Sequence, residues 1–209
     1  MKPDWAPIAR TGPLVALVYR GYWVLANILF RLLCLLRVSR EGRLPSRGGV
    51  LIVANHASHL DPPLIDAVTL RHVHFLARQT LSRSTFMLMV FKLCGVIPVD
   101  REGSGREAFD RAVALLKAGR VVCLFPEGTR SPDGGVKEFK RGGELLARRA
   151  GVPVLPMGIA GAYECWPKGR NYPRPGRIRI RFGPLIQPGA LRRGGVDLRD
   201  QVRRLKELA

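Results

Sequence analysis

The chain of 209 residues is poor in acid, poor in cysteine and free of short repeats. Its 16 Asp and Glu stand against 35 Lys and Arg, a formal net charge of +19. Such a surface seeks a polyanion: nucleic acid, an anionic membrane or a phosphorylated substrate. The four cysteines, Cys34, Cys94, Cys123 and Cys165, stand alone, with no CxxC and no Cys/His cluster. That spacing argues against a zinc site and for reduced, buried thiols in a cytosolic setting. The 23 Gly and 16 Pro follow no short period, which excludes collagen-like and solenoid architectures. With 46% hydrophobic and 24% charged residues, the chain is neither disordered nor a multi-span membrane protein. Its length suits one domain with a real core. The basic side is 28 Arg and 7 Lys, and the planar Arg fork suits phosphate better than a point charge.

One long apolar run is present. Residues 14–36, LVALVYRGYWVLANILFRLLCLL, hold 19 apolar residues in 23, about 35 Å as a helix. Its 13 Leu, Ile, Phe and Val favour insertion by roughly 4 to 8 kcal/mol, and Arg20 and Arg31 oppose it by up to about 5 to 7. At 100° per residue, Arg20, Asn27 and Arg31 share one side and leave a wide apolar face. The expectation is a helix lying in the membrane interface, with a single crossing as the alternative. An Arg splits the apolar core and no small-residue cleavage site follows, so it is a poor signal peptide. Residues 1–60 carry eight basic side chains against Asp4 and Glu41, which suits an anionic leaflet.

Beyond residue 49 the chain alternates strand-like and helix-like segments. VLIVAN (50–55), HVHFLAR (72–78), GVIPVD (95–100), VVCLFP (121–126), VPVLPMGI (152–159) and IRIRF (178–182) read as strands. A helix is expected between Ser104 as N-cap and Gly119 as stop, a short one around 144–150, and a last one with Leu198, Val202, Leu205 and Leu208 on one face. The fold class that follows is α/β: a mainly parallel central sheet flanked by helices. The apolar stretch 84–94 is either core or the wall of a lipid groove.

Two loops carry chemistry. Asn55-His56-Ala57-Ser58-His59-Leu60-Asp61 follows a buried strand, where α/β sheets place their sites. Across a loop or first helical turn Asp61 can reach His56, fix its tautomer and leave the other ring nitrogen to accept a proton. The hydroxyl that loses this proton is Ser58 or belongs to a substrate. Phe125-Pro126-Glu127-Gly128-Thr129-Arg130-Ser131 follows a second buried strand. Here Gly128 permits close backbone approach, Arg130 offers a bidentate grip on phosphate, and Glu127 can orient that Arg or bind a hydroxyl. Asp100-Arg101 marks a third strand end. Three such ends converging on one crevice would make a site.

These residues resemble the 1-acyl-sn-glycerol-3-phosphate acyltransferases of the wider glycerophospholipid acyltransferase superfamily. The NHxSxxD block is met by Asn55, His56, Ser58 and Asp61, and G-x-I-x-V-D-R by Gly95, Ile97, Val99, Asp100 and Arg101. FPEGTRS is complete from Phe125 to Ser131, continued by Phe139, Lys140 and Gly142, and the V-P-x-x-P strand is met by Val152, Pro153 and Pro156. The resemblance implies that residues 43–209 form the acyltransferase domain and 1–42 its membrane-associating segment. It implies His56 and Asp61 as the catalytic pair, and Arg101, Glu127, Gly128, Thr129 and Arg130 as the acceptor site. The acyl donor would be acyl-CoA or acyl carrier protein, and the acceptor the lysophospholipid 1-acyl-sn-glycerol-3-phosphate, giving phosphatidate, with glycerol-3-phosphate or another lysolipid as the alternative acceptor. The protein would sit on the cytoplasmic face of the membrane. No cofactor and no metal is expected. His59 occupies a variable position of the first block and is read as a non-catalytic neighbour.

Arg177, Arg179 and Arg181 alternate with Ile178, Ile180 and Phe182. This basic ladder is either a solvated edge or a dock for acidic carrier protein or lipid headgroups. Nucleic-acid binding is not expected, since no helix concentrates a basic recognition face and no RNP, zinc-finger or basic-zipper pattern is present. Ser58 lacks the flanking glycines of a nucleophile elbow.

Overall fold

A strand buried on both faces needs apolar residues on both, and Val50–Ala54 (β2) supplies them: all five are buried. Val50, Ile52 and Ala54 point into one hydrophobic cluster, Leu51 and Val53 into another. β2 is therefore the centre of a sheet with a core on each side. The computed structural model describes residues 21, 24, 25, 27–69, 71–78, 96–99, 105–192 and 196–209.

Among these residues the other strands are Arg37–Arg40 (β1), Val73–Arg78 (β3), Ile97–Val99 (β4), Val121–Leu124 (β5), Val154–Ala160 (β6) and Arg179–Phe182 (β7). The sheet order is β1-β7-β6-β2-β5-β3-β4. Every neighbouring pair is parallel except β6 with β7. Residues 27–33 are helical (α1). Asp61–Val68 (α2) and Ala162–Cys165 (α5) pack on the first cluster. Arg106–Lys117 (α3), Gly142–Ala150 (α4), Pro188–Arg192 (α6) and Leu198–Glu207 (α7) pack on the second. This is the expected single α/β domain, a mostly parallel sheet between helical layers.

Several details depart from the sequence reading. α3 begins after Gly105, which takes the cap position at φ +63° with no side-chain bond; Ser104 lies outside the described residues. The stop is as read: Ala118 caps the helix and Gly119 follows at φ +78°. Leu208 is 49% exposed, because α7 ends at Glu207 and only Leu198, Val202 and Leu205 reach the core. β1 was not expected: Arg37–Arg40 lies within the segment 1–42, yet pairs with β7 from Arg37↔Arg179 to Arg40↔Phe182. An edge strand with one apolar residue in four gives no sequence signal. The stretch 84–94 lies outside the described residues.

Asn27 and Phe30 of α1 face the protein, while Arg31 is exposed. Asn27 Nδ2 donates to Ala67 O at 2.5 Å, and Phe30 packs against the first cluster. Leu25, Ile28, Leu29, Leu32 and Leu33 are all exposed, Leu32 at 71%. Arg20 lies outside the described residues. No helix among the described residues is long and apolar enough to cross a membrane. Cys34, Cys123 and Cys165 are buried, free thiols; burial, then the neighbouring Cys34, pushes Cys165 up to about 11. Cys94 lies outside the described residues.

Candidate active site

The loops after β2 and β5 meet because those strands are neighbours in register, Val53 opposite Leu124. His56 is held from every side. Its backbone N–H donates to Glu127 Oε1 at 3.0 Å, and its carbonyl accepts from Ser131 N at 2.7 Å. The imidazole stacks on Phe125, ring centres 4.1 Å apart and planes at 18°. Nδ1 lies 2.8 Å from Asp61 Oδ2.

That oxygen also accepts from Ala57 N at 2.7 Å and Ser58 N at 2.8 Å. Asp61 is the first residue of α2, so its carboxylate also sits at the positive end of that helix. It is fully buried, while the His56 ring keeps 19% of its side-chain surface open. The carboxylate assigns the Nδ1 proton to the shared bond and leaves Nε2 as a lone-pair acceptor. Sequence spacing suggested the pair; the two backbone donors that fix Asp61 were not legible, because any residue supplies an N–H.

Ser58 is buried, and its hydroxyl is committed. Oγ donates to Trp166 O at 2.8 Å and accepts from Leu60 N at 3.1 Å. Its proton therefore points away from His56. Trp166, absent from the sequence reading, also tilts its ring against His59, centroids 5.1 Å apart. A backbone carbonyl leaves no pattern by which to find it.

In the β5 loop, Glu127 is 4% exposed. Burial pushes its carboxyl up, offset by the backbone N–H groups of His56 and Lys137. Gly128 is exposed at φ +70°, and a Cβ there would meet Lys140 Nζ at 3.0 Å. Thr129 and Arg130 are half-buried. Arg130 Nη1 contacts His59 Nε2. Burial, followed by the Arg130 charge, lowers the His59 pKa, so the ring is neutral and can accept from the guanidinium. The structure thus brings together His56, Asp61, Glu127, Gly128, Thr129 and Arg130. Asp100 and Arg101 lie just past β4, outside the described residues. Among the described residues, no three His, Cys, Asp or Glu gather as metal ligands would.

The family model described as Acyltransferase matches residues 35–160. The 1-acyl-sn-glycerol-3-phosphate acyltransferase of Borreliella burgdorferi is 28% identical over 71% of this chain; the chain spans 60% of that relative's length. The enzyme of that name from Bacillus subtilis is also 28% identical, over 79% of this chain and 83% of its own. The crystal structure of the 1-acyl-sn-glycerophosphate acyltransferase PlsC from Thermotoga maritima superposes with a TM-score of 0.77 at 30% identity, covering 93% of this chain and 80% of the other. Both chemistry-bearing loops fall inside the matched region, and this chain belongs to the acyltransferase family.

Proposed function

We propose that this protein transfers a fatty acyl group from an acyl thioester to the free hydroxyl of 1-acyl-sn-glycerol-3-phosphate, giving phosphatidate. The observation that carries it is the His56–Asp61 pair at 2.8 Å beside a serine whose proton is committed elsewhere. A base with a free Nε2 beside a Ser58 hydroxyl committed to Trp166 O suits direct transfer. His56 Nε2 takes the acceptor's hydroxyl proton as the oxygen attacks the thioester carbonyl, and Asp61 balances the imidazolium. Collapse of the tetrahedral intermediate breaks the carbon–sulfur bond, and His56 returns its proton to the departing thiolate. Arg130, with Gly128, Thr129 and Arg101, is assigned to the acceptor's phosphate. Glu127 holds the His56 backbone in this reading and borders the acceptor site. No cofactor or metal enters the sequence of steps.

The same proposal puts the protein on a membrane. Exposed leucines on α1 and the local basic excess support attachment to the anionic cytoplasmic leaflet, by burying one helix face. The attaching segment ends before Arg37, since β1 belongs to the sheet.

The test is acyl transfer in mixed micelles with lysophosphatidate and glycerol-3-phosphate as acceptors, using wild type and His56→Ala. Phosphatidate formed by wild type and reduced at least about a hundredfold by the substitution is expected. Product from glycerol-3-phosphate alone would keep the chemistry and change the acceptor. Silence with both acceptors, from folded protein, would overturn the proposal.

A further inference from the structure

The basic ladder read in the sequence is met by carboxylates. Arg181 Nε pairs with Glu41 Oε1 at 3.0 Å, and Arg177 and Arg179 border a cleft that Glu164 and Glu207 share. Unopposed charge lies just before it, in the loop that joins α5 to β7. From Cys165 to Val196 the sequence holds no carboxylate. The loop is closed and internally bonded: Arg174 N donates to Cys165 O at 2.9 Å at its neck, and Trp166 Nε1 donates to Arg170 O at 2.9 Å inside it. Arg170 Nη1 is spent on Glu164 O at 3.1 Å. Lys168 and Arg174 are left, both exposed, and among the described residues neither side chain makes a hydrogen bond or an ion pair. Between them stands Tyr172, 78% exposed, with Pro173 and Pro175 exposed beside it.

One open tyrosine is ordinary on a protein surface; the neighbours of this one give it meaning. The loop returns along the end of α1, where Gly176 N donates to Leu33 O at 3.3 Å and Ile178 N to Cys34 O at 2.9 Å. Leu32, Leu33 and Leu35 are exposed there, as are Arg31 and Arg37. Arg174 is two residues from Gly176 and Tyr172 four, at most about 7 Å and 14 Å of chain. The start of the loop belongs to the active site: Trp166 O accepts from Ser58 Oγ and His59 N, and Pro167 bridges Ser58. An acidic protein partner needs a shaped apolar seat beside the charges. This loop offers a single ring and two long cationic arms, which suit a layer of lipid headgroups. There a tyrosine keeps its hydroxyl wet with its ring in the acyl boundary, and lysine and arginine reach the phosphates.

We propose that the tip of this loop, Lys168 to Arg174, is a second contact with an anionic lipid surface, distant from α1 in sequence and adjoining it in space. The proposal rests on the membrane attachment read above and adds what orients the domain there. A single helix lying in the interface leaves the domain free to tilt about it. A second contact, made by the loop that holds Ser58 and His59, removes that freedom and keeps His56 at the headgroup level, where the acceptor presents its hydroxyl and phosphate.

The experiment titrates the full chain with vesicles of pure phosphatidylcholine and of phosphatidylcholine mixed with phosphatidylglycerol. Lys168→Ser/Arg174→Ser removes two side chains that the fold does not use. It is expected to weaken binding to the anionic vesicles at least about tenfold, each charge being worth about fivefold, and to leave binding to pure phosphatidylcholine unchanged. Tyr172→Trp, measured against wild type, is expected to add fluorescence that brominated lipids quench. In turnover, the double variant is expected to raise KM for lysophosphatidate held in anionic vesicles and to leave unchanged KM for a short-chain lysophosphatidate free in solution. Unchanged partitioning, or added fluorescence that brominated lipid leaves untouched, would overturn the proposal. An equal rise in KM with both forms of the acceptor would overturn it by placing these residues in acceptor binding, and loss of binding confined to an acidic carrier protein would overturn it in favour of a protein partner. Should wild type bind neither kind of vesicle, the attachment reading falls and takes the loop contact with it; should wild type bind while both loop readouts stay silent, the loop contact falls alone.

Discussion

Asn55 and Ile159, 104 residues apart, hold each other by two hydrogen bonds. Asn55 Nδ2 donates to Ile159 O at 2.9 Å, and Ile159 N donates to Asn55 Oδ1 at 2.8 Å. The side chain thus continues the β2–β6 ladder after its last backbone pair, Ala54↔Met157, and sets the point from which His56 departs.

Asn55→Ala is expected to destabilise the fold by about 2 to 4 kcal/mol, since it orphans a backbone donor and a backbone acceptor in the interior. Asn55→Asp keeps the acceptor for Ile159 N but sets a buried carboxylate against Ile159 O, so it is expected to cost at least as much. Urea unfolding midpoints check both. A neutral Asn55→Ala would mean that another group or water satisfies Ile159.

Asp61 carries two separable duties. Asp61→Asn is expected to lower kcat by a factor on the order of 10² or more, with little change in either KM, because the imidazolium loses its counter-charge. Asp61→Ala is expected to show that loss and also a stability loss of about 1 to 3 kcal/mol, from the unpaired Ala57 and Ser58 N–H groups. Steady-state kinetics beside thermal unfolding separates the effects. Equal stability of the two variants would mean the carboxylate does not hold the loop.

Arg130→Ala is expected to raise the KM for the phosphorylated acceptor about tenfold or more and to change donor KM little. His59→Gln, which keeps an acceptor for the guanidinium, is expected to stay near wild type, whereas His59→Phe moves toward Arg130→Ala. Damage confined to the donor would place the acceptor phosphate elsewhere.

His72, beside β3, is held down at about 3 by burial, then by His74 and Arg120. An unfolded His titrates near 6.5, so below that pH the unfolded chain binds more protons than the folded one. The contribution to stability is present above about 6.5 and is lost as pH falls toward 3, on the order of 2 kcal/mol between pH 7 and pH 5. His59, also lowered, works in the same direction. Glu127, raised by burial, works in the other, its contribution being lost as pH rises through its folded value. His72→Gln is expected to flatten the fall between pH 7 and pH 5 in urea midpoints. An unchanged slope would mean that His72 titrates normally in the fold.

Legibility in the sequence followed the burial of each element. β2 and β5 were readable because both faces are buried and the residues run apolar without interruption. β1 was not, because an edge strand of Arg-Val-Ser-Arg owes its place to backbone pairing with β7. The first-block residues were visible as a constellation, and His56 and Asp61 as a pair. Hidden were the contacts made through backbone: Ile159 for Asn55, Trp166 for Ser58, Ser131 for the carbonyl of His56. Glu127 was read as a partner for Arg130 or a substrate hydroxyl, and the structure gives one of its oxygens to His56 N. The basic ladder read as one feature, and only the fold parts Arg181 from its neighbours.

Pairing of β1 with β7 has a consequence for the growing chain. Glu41 must wait for Arg181, 140 residues later in synthesis, before its ion pair can form. Throughout that interval a strand edge lies open beside an exposed apolar helix, a combination that invites wrong association. β1 is a poor template for it: four residues long, three of them exposed, with an arginine at each end. The latest partner in the sheet is thus kept for the strand least able to recruit a stranger.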